Sequence, residues 1–211
     1  VRRIKVLLVQ NDPDWGHTVT GVLQRESDLV VIGAAHAKED AVLFARKLDI
    51  DVVIIDAMLN GNGLVGIDIA LEIHALKTAK MIMLTFRDHR DLILEAFSNG
   101  VTDYIVNARA EDIPAAIRAV YHNQSSIHFI AAGVLRREYM RLKQREIRKS
   151  LTKMEYEVLG LVGSGFTRQQ IARNLHITES TVKKHANQII KKMGTCSSRE
   201  AARKAKLKGI L

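Results

Sequence analysis

Polar residues stand at the ends of several short apolar runs. Asp56 directly ends Val52-Val-Ile-Ile, and Thr85 ends Met81-Ile-Met-Leu. Gln10, Asn11 and Asp12 follow Ile4–Val9, and Asn107 follows Tyr104–Val106. An isolated Asp after a strand is as often a turn former or helix cap as a reactive group. A carboxylate and a hydroxyl on neighbouring strand ends converge on one spot, however, and this predicts a pocket around Asp56 and Thr85. A competing signal lies close by. Gly61-Asn-Gly-Leu-Val-Gly66 has the form G-x-G-x-x-G, following a strand and opening a helix. In a dinucleotide site such glycines let backbone approach a pyrophosphate at a helix N-terminus. Here the motif follows the third run rather than the first. It also lacks an acid about 20 residues on, Asp88 being the nearest candidate. A flexible loop beside Asp56 explains the glycines more simply.

These residues need a scaffold. Apolar runs at Ile4–Val9, Leu29–Ala34, Val52–Ile55, Met81–Leu84 and Tyr104–Val106 are short and rich in β-branched side chains, as strands buried on both faces should be. Between them lie amphipathic stretches at 14–26, 38–48, 65–76, 88–98 and 111–121. Five strands alternating with five helices predict an α/β domain with a parallel sheet covered on both faces. Its functional crevice then lies at the carboxyl ends of the strands.

Composition bounds the rest. Of 211 residues, 47% are hydrophobic and 26% charged, which excludes collagen-like and wholly disordered chains. One cysteine, Cys196, excludes a disulfide framework and a Cys-rich zinc site. No apolar run approaches the ~18 residues of a membrane span, and Val1-Arg-Arg-Ile-Lys has no signal-peptide core. A soluble, cytoplasmic protein with no membrane partner is expected. The net charge of +9 divides unevenly. Residues 1–135 hold 13 Lys/Arg against 17 Asp/Glu, whereas residues 136–211 hold 19 against 6. An acidic front and a basic tail predict two domains, the second facing a polyanion. The plainer alternative is a solvated basic surface.

The tail favours the polyanion. After a loop-like stretch, Val134 to Lys149 reads as a basic linker helix whose charges solvate it rather than touch DNA. Thr152-Lys-Met-Glu155 is a capping box opening a helix to about Gly163. Gly165-Phe-Thr167 breaks and caps a second helix, 168–175, and Thr178 caps a third, 179–193. A last helix, 197–208, closes the unit. The tight turn at His176-Ile177, with a Lys-rich helix after it, predicts a helix-turn-helix. Its exposed face carries Thr181, Lys183, Lys184, Asn187 and Lys191. Lys can read guanine acceptors, Asn can pair with adenine edges, and Thr or Lys can grip phosphate. His185 has no nucleophile or metal partner nearby in sequence and is expected to pack, and Cys196 is expected to be incidental.

The front half resembles the receiver domain of two-component response regulators over roughly residues 3–122. Asp56 stands in the phospho-acceptor place, Thr85 is the switch hydroxyl and Tyr104 the switch aromatic. The resemblance implies a flavodoxin-like sheet of order 2-1-3-4-5. It also implies phosphoryl transfer from a histidine kinase, with Mg²⁺ held by an acid pair after the first strand together with the Asp, and a Lys after the fifth. Alignment on Pro13 puts that acid pair on Gln10 and Asn11, with Asp12 one place late. The Lys falls on Asn107, and a Pro usual four residues past the acceptor falls on Asn60. Mg²⁺ prefers carboxylates and other hard oxygens. The pocket therefore offers at best a weak Mg²⁺ site on Asp56 and Asp12, and no cofactor is required. A degenerate receiver with weak or no phosphorylation control is expected, with a kinase or another signal ligand as input.

The back half resembles the LuxR-type helix-turn-helix across 148–211. The likeness rests on Leu151-Thr-x-x-Glu155, Gln170-Ile-Ala172, Thr178-x-x-Thr-Val-Lys183-x-His185, Lys192-Met-Gly194 and Ser198-Arg-Glu-Ala201. By that likeness Lys183, Lys184 and Asn187 face bases, with Thr181 and Lys191 on phosphate. The whole chain resembles response regulators of the NarL/FixJ class, with a receiver at 1–122, a linker at 123–147 and a DNA-binding domain at 148–211. Sequence-specific transcriptional regulation as a homodimer on double-stranded DNA is expected, with dimer contacts from the receiver helices or the last helix. A conventional phosphorylation-activated regulator and a non-specific nucleic-acid binder are the alternatives. An enzyme would need a nucleophile–base pair or metal cluster, where this pocket offers one or two acids.

Overall fold

The computed structural model describes residues 2–61, 63–76, 79–86, 89–124 and 127–211, with backbone alone at Asn60 and Gly63. Asp88 therefore lies outside the described residues, and so does the side chain of Asn60. The chain divides into two compact units, Val1–Leu135 and Arg136–Leu211.

In the first unit, strands β1 (Ile4–Val9), β2 (Leu29–Ala35), β3 (Val52–Asp56), β4 (Lys80–Thr85) and β5 (Asp103–Val106) alternate with helices. The helices are α1 (Pro13–Gln24), α2 (Lys38–Lys47), α3 (Gly63–Leu76), α4 (Arg90–Ser98) and α5 (Ile113–Tyr121). All strand pairs are parallel, in the order β2-β1-β3-β4-β5. The sheet, its order and its helical layers match the expected fold. Successive side chains on a strand face opposite ways, and both faces are buried. Leu7, Val9, Val53, Ile55, Met81 and Met83 join one core with α2, α3 and α4 residues. Val6, Leu8, Ile54, Ile82 and Leu84 join another with α1 and α5 residues. That double burial is why these runs are continuously apolar rather than alternating.

Several boundaries move by a few residues. A short 3₁₀ turn, Ala110–Asp112, precedes α5, so the regular helix starts later than 111. Helix α6 (Phe129–Ser150) starts five residues before the expected Val134, because Ala131 and Val134 are buried in the first core.

In the second unit, α7 (Lys153–Gly163), α8 (Arg168–Asn174), α9 (Glu179–Met193) and α10 (Ser198–Leu207) pack around Val158, Leu159, Ile171, Val182 and Ile189. The caps are those the sequence predicts. Thr152 with Glu155 and Thr167 with Gln170 form capping boxes on α7 and α8, and Thr178 accepts from the Thr181 N–H on α9. His176, at φ 53°, makes the turn between α8 and α9.

Candidate functional site

Strand register brings the front-unit polar residues together. Val9 pairs with Ile55 and Asp56 pairs with Leu84, so Gln10, Asp56 and Thr85 lie at one end of three adjacent strands. A cavity of about 260 Å³ opens there, lined by Gln10, Asn11, Asp12, Asp56 and Thr85 among others. Its floor and walls are largely apolar, including Leu8, Ile54, Leu84 and Ala108. Two of the candidate residues are not part of this lining. Tyr104 is completely buried, and Asn107 is exposed and faces a different groove with Asp112 and Phe129. Asn107 also holds a left-handed backbone, φ 54°, which Asn tolerates better than most residues.

The groups differ in how they are engaged. Asp56 is half-buried, and its Oδ1 accepts from the Met58 N–H at 2.8 Å. Burial pushes its carboxyl pKa upward against that hydrogen bond, and the nearby Asp12 adds to the upward push. Asp12 caps α1, its Oδ1 accepting from the Asp14 and Trp15 N–H groups at 3.0 and 3.2 Å. Thr85 is buried. Among the described residues the Tyr104 hydroxyl has no partner of ordinary hydrogen-bond geometry. Burial raises its pKa, with the Thr85 hydroxyl opposing and Asp56 adding to the rise. Gln10 is 8% exposed, and its Oε1 is buried without a hydrogen-bond partner among the described residues.

Among the described residues the donor set does not fit Mg²⁺. One of the two nearby carboxylates is engaged as a helix cap, and the flanking side chains are amides. Among the described residues no group of three His, Cys, Asp or Glu side chains could hold a metal ion. Hard divalent cations of this size bind through carboxylates and water in near-octahedral geometry.

The glycine-rich loop has a structural explanation. A Cβ at Gly66 would sit 2.9 Å from the Asp56 carbonyl oxygen and 3.2 Å from Ala57, so Gly66 lets α3 pack against the end of β3. Gly61 has φ 72°, a turn conformation that glycine adopts without strain.

Trp15, just past the first-strand loop, and Phe86 and Gly16 also line the cavity. Trp15 and Phe86 meet edge to face, with ring centroids 5.8 Å apart. Gly16 is buried on α1, and a Cβ there would lie 2.0 Å from Gln10 Nε2. A strand-end Thr followed by Phe is visible in sequence. The Gly16–Gln10 approach is not, because it joins a helix to a strand end.

In the back unit, Lys183, Lys184, Asn187 and Lys191 are exposed on α9, while Val182, Ile189 and Met193 are buried. Thr181 is half-buried, its hydroxyl 2.9 Å from the capping Thr178 Oγ1. His185 is half-buried. Other basic side chains serve structure. Lys192 Nζ donates to Glu155 Oε2 at 2.6 Å, and Lys204 Nζ to the Met193 carbonyl at 2.8 Å. On α6, Arg141 pairs with Glu138 and Lys143 with Glu146.

The family described as "Response regulator receiver domain" matches residues 6–118, and "Bacterial regulatory proteins, luxR family" matches residues 149–205. This chain belongs to the NarL/FixJ-type response regulators. The response regulator protein VraR of Staphylococcus saprophyticus is 33% identical over 193 residues, covering 90% of each chain. The transcriptional regulatory protein LnrK of Bacillus subtilis is 30% identical over 210 residues, covering 94% of each. In fold, the response regulator resembles ChrA of a heme-sensing two-component system, with a TM-score of 0.51, 23% identity and both chains fully covered. RcsB of Salmonella typhimurium gives 0.58 at 19% identity, covering 98% of this chain and 100% of that one. The response regulator is thus a transcriptional regulator with a LuxR-type DNA-binding domain. Among the described residues no helix is long and apolar enough to cross a membrane.

Proposed function

We propose that this response regulator binds a two-half-site operator as a homodimer and works with little or no phosphorylation control. The observation that carries the second half is the donor set around Asp56. Gln10 and Asn11 occupy the positions of the expected acid pair, Asp12 is engaged as a cap, and Asn107 faces away from the cavity. Phosphoryl transfer to a carboxylate needs cationic neutralisation of the moving charge, and these residues supply none. Asp56 is instead a desolvated carboxylate whose charge is opposed by burial and by Asp12.

DNA is read from α9. Lys183, Lys184 and Asn187 contact base edges, and Lys191 with the N-terminal Thr181 holds phosphate. Exposure of the four longer side chains on one helix supports this reading. A two-fold dimer would place two such helices one helical turn apart, about 34 Å.

The decisive experiment is incubation with acetyl phosphate and MgCl₂, followed by intact-mass measurement and an operator-binding titration. No mass gain at Asp56 and unchanged operator affinity are expected. Stoichiometric phosphorylation of Asp56 with tightened operator binding would return the protein to phosphorylation control.

A further inference from the structure

The cavity beside Asp56 is better furnished for an organic molecule than for a metal and a phosphoryl group. Its exposed lining is largely apolar, and the Trp15–Phe86 pair offers ring faces and edges. Two polar groups stand in its lining with unmet demands. Among the described residues Gln10 Oε1 is buried with no hydrogen-bond partner, and a buried unpaired acceptor normally costs free energy. Asp56 is a half-buried carboxylate beside Asp12, and among the described residues its one hydrogen bond comes from the Met58 N–H. The first group calls for a hydrogen-bond donor and the second for a compact positive charge.

Size narrows the class further. An apolar cavity of ~150 Å³ accommodates benzene, so about 260 Å³ accommodates a bicyclic ring with a short substituent. Gly16 keeps this space open. With any larger residue there, the methyl would meet Gln10 Nε2 at 2.0 Å and force the amide from its place in the wall.

We propose that the cavity lined by Trp15, Gly16, Asp56, Phe86 and Gln10 binds a small aromatic amine, its ring against Trp15 and Phe86 and its ammonium on Asp56. A donor on the ligand satisfies Gln10 Oε1. The inference deepens the phosphorylation-independent reading of this domain and rests on it. Ligand binding at this end of the sheet is the general habit of open α/β folds, and the amine class follows from the charge and the orphaned acceptor.

The chain contains one tryptophan, so Trp15 gives a single indole N–H resonance in a ¹H–¹⁵N spectrum of the full-length protein. Tryptamine is the probe, and indole-3-acetate is the control of similar size and opposite charge. A saturable tryptamine shift is expected, with no comparable shift from indole-3-acetate. Asp56→Asn should weaken it at least tenfold and Gly16→Ala should abolish it, with operator binding retained in Gly16→Ala as proof of folding. Absence of a tryptamine shift up to millimolar concentration would overturn the proposal. So would equal response to indole-3-acetate, or an Asp56→Asn response like that of the parent. MgCl₂ with beryllofluoride is the separate arm. A saturable shift there, lost in Asp56→Asn, would sink the phosphorylation-independent reading and the proposal with it. A silent beryllofluoride arm with no tryptamine response would sink the amine site alone.

Discussion

Lys192 Nζ lies 2.6 Å from Glu155 Oε2, joining the C-terminal turn of α9 to the N-terminal turn of α7. The same carboxylate oxygen accepts from the Thr152 N–H at 2.8 Å, so the capping box and the ion pair share one atom. Glu155 is almost fully buried, with Lys192 more open. A buried pair of this kind tolerates loss of one partner poorly, because the other charge is left without compensation.

Glu155→Gln should therefore lower the stability of the second unit by ~1–3 kcal/mol. Burial pushes the Glu155 pKa up, but Lys192 and the Thr152 N–H pull it down further, and the net shift is downward. A depressed acid contributes stability above its unfolded pKa and loses it as pH falls through the folded value. Urea titrations between pH 7 and pH 3 should show the parent losing this increment below the ordinary glutamate range. Glu155→Gln should lack it throughout. Equal pH dependence in the two proteins would contradict the assignment.

On α9, Lys183→Ala and Lys184→Ala should each cost ~1–3 kcal/mol in operator affinity and relax preference at one base position. Lys191→Ala should weaken binding to operator and random DNA alike and reduce the salt slope by about one. Binding isotherms at several salt concentrations separate the two behaviours. Unchanged affinity in all three variants would remove α9 as the reading helix.

Two glycine substitutions should have opposite signs. Gly21→Ala lies within α1, where a new Cβ meets nothing within 4 Å, and should stabilise by ~0.5–1 kcal/mol. Gly66→Ala places a methyl 2.9 Å from the Asp56 carbonyl oxygen, and backbone there cannot yield cheaply. Overpacking of this kind costs ~1–3 kcal/mol. Chemical denaturation of both variants checks the contrast.

Asp56→Asn should raise the melting temperature at pH 7. The Asp56 carboxyl pKa is elevated chiefly by burial, so its ionised form opposes folding at neutral pH. The advantage of Asn should grow as pH rises from the unfolded aspartate pKa to the folded one, then level off. Scanning calorimetry from pH 3 to pH 8 gives the profile, and an advantage confined to low pH would reverse the sign.

Much of this architecture is legible from local pattern. β1 has the bounds of its apolar run, and the capping boxes at Thr152 and Thr167 start α7 and α8 as their side chains dictate. Strands β3 and β5 each extend one residue beyond their apolar runs, to Asp56 and from Asp103, and β4 extends one at each end, to Lys80 and Thr85, because backbone pairing continues where side-chain hydrophobicity stops. The start of α6 was hidden for a related reason. Gly133 and the polar loop before it weaken the helical signal, while Ala131 and Val134 gain burial only in the folded core.

The cavity was half legible. Asp56 and Thr85 announce a strand-end crevice, yet nothing local shows that Gln10 turns its amide beneath α1 or that Asp12 is engaged as a cap. Those facts depend on where a helix lands. The same holds for the basic tail. Its charge excess is plain, but which lysines face solvent and which, like Lys192 and Lys204, tie helices together is settled by packing.

Cys196 is exposed in the turn between α9 and α10, and the chain has no other cysteine. It is thus a ready-made attachment point for a spin label just past the end of α9. In a dimer on DNA, two such labels would report the separation of the reading helices. Lengthening the operator spacer by one helical turn should move them apart by about 34 Å if each subunit follows its half-site. The single thiol thereby makes the protein its own ruler for operator geometry.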